Sequence, residues 1–134
     1  MQKKSLAALV GVAGFASLAV FGQATAQDDA FATIMAEGET VYTSTANCAS
    51  CHGAEGQGGF GPELAGNAYL ADIGGLLGII LGGFEEHGMP AWADRLDDHQ
   101  IAAVATYVRN SWGNAFEPQI IMDAWVANRR APAE

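Results

Sequence analysis

Cys48-Ala49-Ser50-Cys51-His52 is the stretch on which the reading of this chain turns. Two thiols separated by two residues can each add to one of the two vinyl groups of a haem. A histidine directly after the second thiol is then set beneath the iron as an axial ligand. A redox dithiol of the same spacing would open a helix in a strand–helix–strand context, which the flanking sequence lacks. A structural zinc site needs four ligands, and Cys48, Cys51 and His52 supply three. The pattern points to one covalent haem c, its iron bound by His52.

Haem attachment of this kind follows export with both thiols reduced, and the N-terminus agrees with export. Lys3 and Lys4 precede an apolar, small-residue run from Leu6 to Gly22, and Ala24-Thr25-Ala26 offers a signal-peptidase site. A signal peptide is expected over residues 1–26, with cleavage after Ala26 and a periplasmic destination. The rival reading, a retained membrane anchor, meets a run that is short for a bilayer span and diluted by Gly and Ser. No cysteine lies near the cut, so a lipoprotein anchor is excluded.

The whole chain of 134 residues carries a formal net charge of −9. Its lysines are both in the expected leader. The remainder sets Arg95, Arg109, Arg129 and Arg130 against all 15 acidic residues. Such a chain has no basic face for nucleic acid or anionic lipid, and a basic or apolar partner surface complements it.

Downstream of the leader the pattern is helical. Ile34, Val41 and Tyr42 recur at helical spacing, predicting a helix from Phe31 to about Thr45 in which Gly38 allows close approach of another helix. Cys48 to Gly66 reads as a glycine-rich loop. Asn67 to Leu81 reads as one or two short helices ended by Gly82-Gly83. Asp97 and Gln100 form a capping-box pattern, and Ile101, Val104, Ala105, Val108 and Trp112 form one apolar stripe that Gly113-Asn114 stops. A last short helix is expected to start at Pro118. No segment has a convincing strand period, so the domain is read as all-α.

For the second axial position the residues leave a methionine, a second histidine or an open site. Met89 sits in a Gly-Met-Pro loop, where Pro90 fixes the backbone and disfavours helix at Met89 itself. His87, two residues away, is its rival. Met35 and Met122 read as packing residues, and His99, in the first turn of a capped helix, as a surface residue. Gly56 to Gly61 matches the G-x-G-x-x-G dinucleotide fingerprint, but a loop precedes it and Pro62 follows it, so that reading fails. Gly74, Gly78 and Gly82 repeat every fourth residue in a run far too short to span a membrane. They are expected to bring a short helix close to the haem or to a neighbouring helix.

With these residues in view, the chain from Phe31 to Asn114 resembles the small bacterial class I cytochromes c. Gly38-x3-Tyr42, Cys48 to His52, Gly61-Pro62, Met89-Pro90 and the last helix with Tyr107 and Trp112 carry the likeness. Met89 to Leu96 and Asn110 to Asn114 look especially like the haem domains that serve periplasmic or membrane-bound dehydrogenases. The resemblance implies a fold of three to five helices around one covalent haem, with the first and last helices crossing at Gly38 and Tyr107 nearby. It implies His52 and Met89 as iron ligands and a Pro62 carbonyl that accepts from the His52 ring. It also implies Trp92 and Arg95 near a haem propionate. The lysines that ring the haem edge in better-known members are missing.

The resulting expectation divides the chain into a leader (1–26), a cytochrome c domain (27–114) and a C-terminal extension (115–134). Its role is that of a periplasmic one-electron carrier between a dehydrogenase donor and an oxidase or reductase acceptor, not an enzyme in itself. One alternative is a haem subunit stably docked on such a complex, using Ile120, Ile121 and Trp125 of the tail. A second, of a different class, is a haem enzyme or gas sensor with a displaceable sixth ligand.

Overall fold

The computed structural model describes residues 21–130. Helices are α1 (Phe21–Thr40), α2 (Ala49–His52), α3 (Ile73–Gly82), α4 (Asp98–Asn110) and α5 (Asp123–Arg130), and the described residues hold no strand beyond an isolated Phe84–Met89 bridge. This is the all-α architecture of class I cytochromes c. Most of the expected leader lies outside the described residues. No described helix is long and apolar enough to cross a membrane.

The first helix begins further upstream than the periodicity suggested, and its end loosens into a π turn over Val41–Thr45. Thr40 and Thr43 hydroxyls donate to carbonyls four residues back, at 3.0 and 2.8 Å. Such back-bonding competes with the helix ladder and opens it. The wider turn still buries Val41 and Tyr42.

The core is built where α1 crosses α4. Gly38 lies against the Ala103 carbonyl, and a Cβ there would stand 2.6 Å from Tyr107 Cβ. Only a residue without a side chain lets the two backbones meet at this distance. Beside the crossing, Tyr42, Tyr107 and Trp112 pack with ring centroids 5.1–5.5 Å apart, in the tilted and edge-on arrangements that aromatic quadrupoles favour. The capping box is present: Asp97 Oδ1 accepts from Gln100 N at 2.8 Å and Gln100 Oε1 from Asp97 N at 3.1 Å. Ile101, Val104, Ala105 and Val108 are buried.

The last helix starts at Asp123, not at Pro118. The Glu117 and Pro118 carbonyls accept from Arg109, and the Gln119 carbonyl from Asn110. These carbonyls face α4, and no helix runs on from Pro118. Ile121 and Val126 are fully buried, and the Ile121 N–H donates to the buried Thr106 hydroxyl at 2.9 Å. The tail thus folds back on its own domain, and Ile121 is spent inward. The Gly74-x3-Gly78 face of α3 receives this tail: Arg129 Nε donates to the Gly74 carbonyl, and its guanidinium fills the space over Gly78.

His99 is on the surface, as expected, yet it joins three helices. Its Nε2 is 2.8 Å from Glu37 on α1 and its Nδ1 3.1 Å from Asp123 on α5. The Glu37 hydrogen bond, then that of Asp123, raises its pKa above the ordinary 6.5. A raised folded pKa gives stability that is full below the unfolded value and lost as pH climbs through the folded one. The thermal midpoint should therefore fall faster with pH above about 6.5 in the wild type than in His99→Gln, a gap that salt narrows. Gly38→Ala should cost about 1–3 kcal/mol by overpacking the crossing, read as a lower unfolding midpoint. An unchanged midpoint would contradict the crossing geometry.

Candidate functional site

A cavity of about 330 Å³ lies between α4, α3 and the two long loops. Its walls are almost wholly carbon, with Leu70, Leu76, Ile80, Val104 and Val108 at the inner end. Cys48, Cys51, His52, Pro62, Met89 and Trp92 all line it, as does His87. Of the residues singled out in the sequence, Arg95 alone does not. Its guanidinium lies 5.5 Å from the Trp92 ring centroid, a cation–π contact with a lining residue.

The first wall is set by local hydrogen bonding. α2 is a single turn, closed by His52 N donating to the Cys48 carbonyl and Gly53 N to the Ala49 carbonyl, both at 2.9 Å. One turn alone would not persist in water, and three groups from elsewhere hold it. Tyr42 hydroxyl donates to the Gly53 carbonyl at 2.6 Å, Gly61 N to the Cys51 carbonyl at 2.9 Å and Gly58 N to the His52 carbonyl at 2.8 Å. Before haem attachment, burial pushes the Cys48 thiol up to about 11, with Cys51 adding to the rise.

His52 Nδ1 is 2.8 Å from the Pro62 carbonyl. A carbonyl can only accept, so Nδ1 carries the proton and the lone pair of the neutral ring stays on Nε2. Gly61 packs flat on the ring: a Cβ there would be 2.9 Å from His52 Cε1. The dinucleotide-like glycines are therefore a loop wrapped around this histidine.

A second loop of the lining carries Met89. Phe84 N donates to the Met89 carbonyl at 2.8 Å, Met89 N returns to the Phe84 carbonyl at 3.2 Å, and a 3-10 turn over Glu85–His87 closes the loop. Beyond Pro90, Trp92 N and Ala93 N donate to the Ile80 and Leu81 carbonyls of α3. Met89 is thus clamped on both sides and half-buried, while His87 is exposed and stacks on Phe84 at 4.2 Å. Both still line the cavity, so position favours Met89 through restraint, not through reach.

Two further residues hold the cavity together and escaped the sequence reading. Asn114 is buried, donates to the Leu64 and Val108 carbonyls and accepts from Gly66 N, tying the glycine loop to α4. Arg109 is fully buried and donates to the Leu70 carbonyl at 2.6 Å. Its signal was available, since positions 101, 105, 108 and 109 share one helical face.

An apolar cavity flanked by two thiols, an oriented imidazole and a clamped thioether suits a flat apolar macrocycle holding a metal. Helices, cavity and donor set together define a monohaem cytochrome c. The chain belongs to the family described as cytochrome c oxidase, cbb3-type, subunit III, whose model matches residues 32–108. It is 41% identical over 86 residues to a cbb3-type cytochrome c oxidase subunit CcoP of Azospirillum brasilense, covering 58% of this chain and 28% of that protein. It is 32% identical over 106 residues to the gluconate 2-dehydrogenase cytochrome c subunit of Pantoea cypripedii, covering 66% and 24%. A cytochrome c-552 of Thermus thermophilus is 34% identical over 96 residues, covering 60% of this chain and 71% of its own length. The chain spans about a quarter of the length of the first two. It is an electron-transfer module with one covalent haem c.

Protein made in a host that attaches haem should keep one haem through denaturation, read by mass. The Cys48→Ala/Cys51→Ala double variant should release whatever haem it takes up. Haem that stays bound to the denatured double variant would refute attachment at these sulfurs.

Proposed function

We propose that the exported chain is a one-electron carrier whose haem is held by Cys48 and Cys51 and whose iron takes His52 and Met89 as axial ligands. The observation that carries this is an oriented imidazole and a methionine on a backbone-clamped loop, both lining one apolar cavity. Residues 1–26 act as the leader, 27–114 as the haem-binding unit and 115–134 as an extension that braces it, in the periplasm.

When bound, the iron supplies Fe(III)/Fe(II) cycling, and a thioether ligand favours the reduced state relative to a second imidazole. The chain does the rest. The Pro62 carbonyl fixes the His52 tautomer and ring plane. The Phe84–Met89 bridge fixes the backbone from which the methionine side chain reaches the cavity. The carbon walls exclude water, and an iron held by both His52 and Met89 would leave a substrate no place to react, which suits a carrier better than an enzyme.

Partner chemistry follows from the rim. Phe60, Tyr69 and Phe84 are exposed and line the same cavity, and their segments also carry the exposed acids Glu63, Glu85 and Glu86. No described cation stands among them. Such a rim suits redox domains that present an apolar centre flanked by lysine or arginine. A dehydrogenase donor and an oxidase or reductase acceptor are the expected classes.

The deciding experiment mixes the reduced protein rapidly with carbon monoxide and separately titrates it with a one-electron oxidant. A carrier with both axial positions filled binds carbon monoxide slowly or not at all and gives up one electron reversibly. Fast, stoichiometric carbon monoxide binding at neutral pH would move the protein to the enzyme or sensor class. With a basic redox protein as partner, the electron-transfer rate should fall as salt is added.

A further inference from the structure

Arg109 is the one arginine with no access to solvent. It makes none of the salt bridges found among the described residues. Its partners are all neutral oxygens: the Leu70 and Ala71 carbonyls at 2.6 and 3.3 Å, and the Glu117 and Pro118 carbonyls at 3.1 and 3.2 Å. The Phe116 ring covers its other side at 5.8 Å. Glu117 acts on it electrostatically but touches it through its backbone, and its side chain is exposed.

A buried guanidinium without a carboxylate is uncommon, because a charge taken out of water is usually paired. An uncharged side chain could brace the same turn at lower desolvation cost. The position explains what the charge adds. Leu70, whose carbonyl it grips, and Val108, its neighbour on α4, both line the haem cavity. Arg109 does not itself line the cavity, but a positive charge held out of water behind two of its lining residues acts on it with less screening than a surface charge would.

We propose that Arg109 is a potential-setting residue: its charge, with no carboxylate in salt-bridge contact, raises the reduction potential of the haem in this cavity. Reduction takes one electron from a donor protein and lowers the positive charge of the iron by one. A neighbouring cation therefore disfavours Fe(III) more than Fe(II). The same four carbonyls make Arg109 a brace between the cavity wall at residues 70–71 and the tail at 117–118. The inference rests on the haem reading above.

The test is the midpoint potential of Arg109→Met and Arg109→Lys in the haem-loaded protein, with unfolding midpoint and covalent haem content measured alongside. Lysine keeps the charge and loses the four-carbonyl grip; methionine loses both. A potential near wild type for lysine and clearly lower for methionine, at similar haem content, is the expected result. Equal potentials in all three proteins overturn the proposal and leave Arg109 a brace only. Should the methionine variant not fold, the pH profile of Arg109→Lys decides. A buried lysine loses its proton at a lowered pKa while arginine does not. The lysine variant should then show a fall in potential at rising pH that the wild type lacks. A profile parallel to wild type up to the limit of folding overturns the proposal. Wild-type protein without covalent haem would instead sink the haem reading itself.

Discussion

Two helices can approach until backbone meets backbone only where one of them lacks a side chain, and here that place is Gly38 on α1 against the Ala103 carbonyl of α4. The crossing fixes where Tyr42 emerges, and Tyr42 in turn reaches across to the Gly53 carbonyl directly behind His52. A contact between the first and fourth helices is thereby transmitted to the histidine ring in two steps. Tyr107 and Trp112 fill the remaining space around Tyr42. The single turn of α2 has little stability of its own, so the site's geometry is a tertiary property from the start.

A second set of constraints comes from buried polar groups that must be satisfied. Thr106, Arg109 and Asn114 are the buried polar side chains of the described core, and each binds backbone on a different segment. Thr106 fixes Ile121, Arg109 joins residues 70–71 to 117–118, and Asn114 joins residues 64–66 to α4. The segments between them are loops that could not bury enough carbon to hold their own shape. Hydrogen bonds to an already rigid α4 supply the missing restraint. The acidic surface stays free of this network, apart from the Arg130–Asp98 pair and the His99 bridge.

Much of this was legible in the chain because its signals are local. The thiol–thiol–histidine spacing, the capping box at Asp97 and Gln100, and the glycine at the crossing each lie within a few residues. What stayed hidden was set by contacts distant in sequence. The tail's last helix begins at Asp123 because α4 takes the carbonyls of residues 117–119, which no local pattern announces. Arg109 sits in the last turn of α4, where a basic residue ordinarily reads as a solvent-facing complement to the helix dipole. Its place on the buried face was visible only by extending the apolar stripe to a charged position. Arg95 rests on family likeness alone: the fold stacks its guanidinium on Trp92, which lines the cavity.

The central claim is that His52 and Met89 meet the same iron, and the optical spectrum of the oxidised protein tests it most directly. Sulfur–iron bonding in such sites gives a weak long-wavelength band. The account predicts that band in wild-type protein and in His87→Ala, and its loss in Met89→Ala with covalent haem retained. A normal covalent-haem spectrum without the band in wild type, or a band that survives Met89→Ala, would contradict the claim.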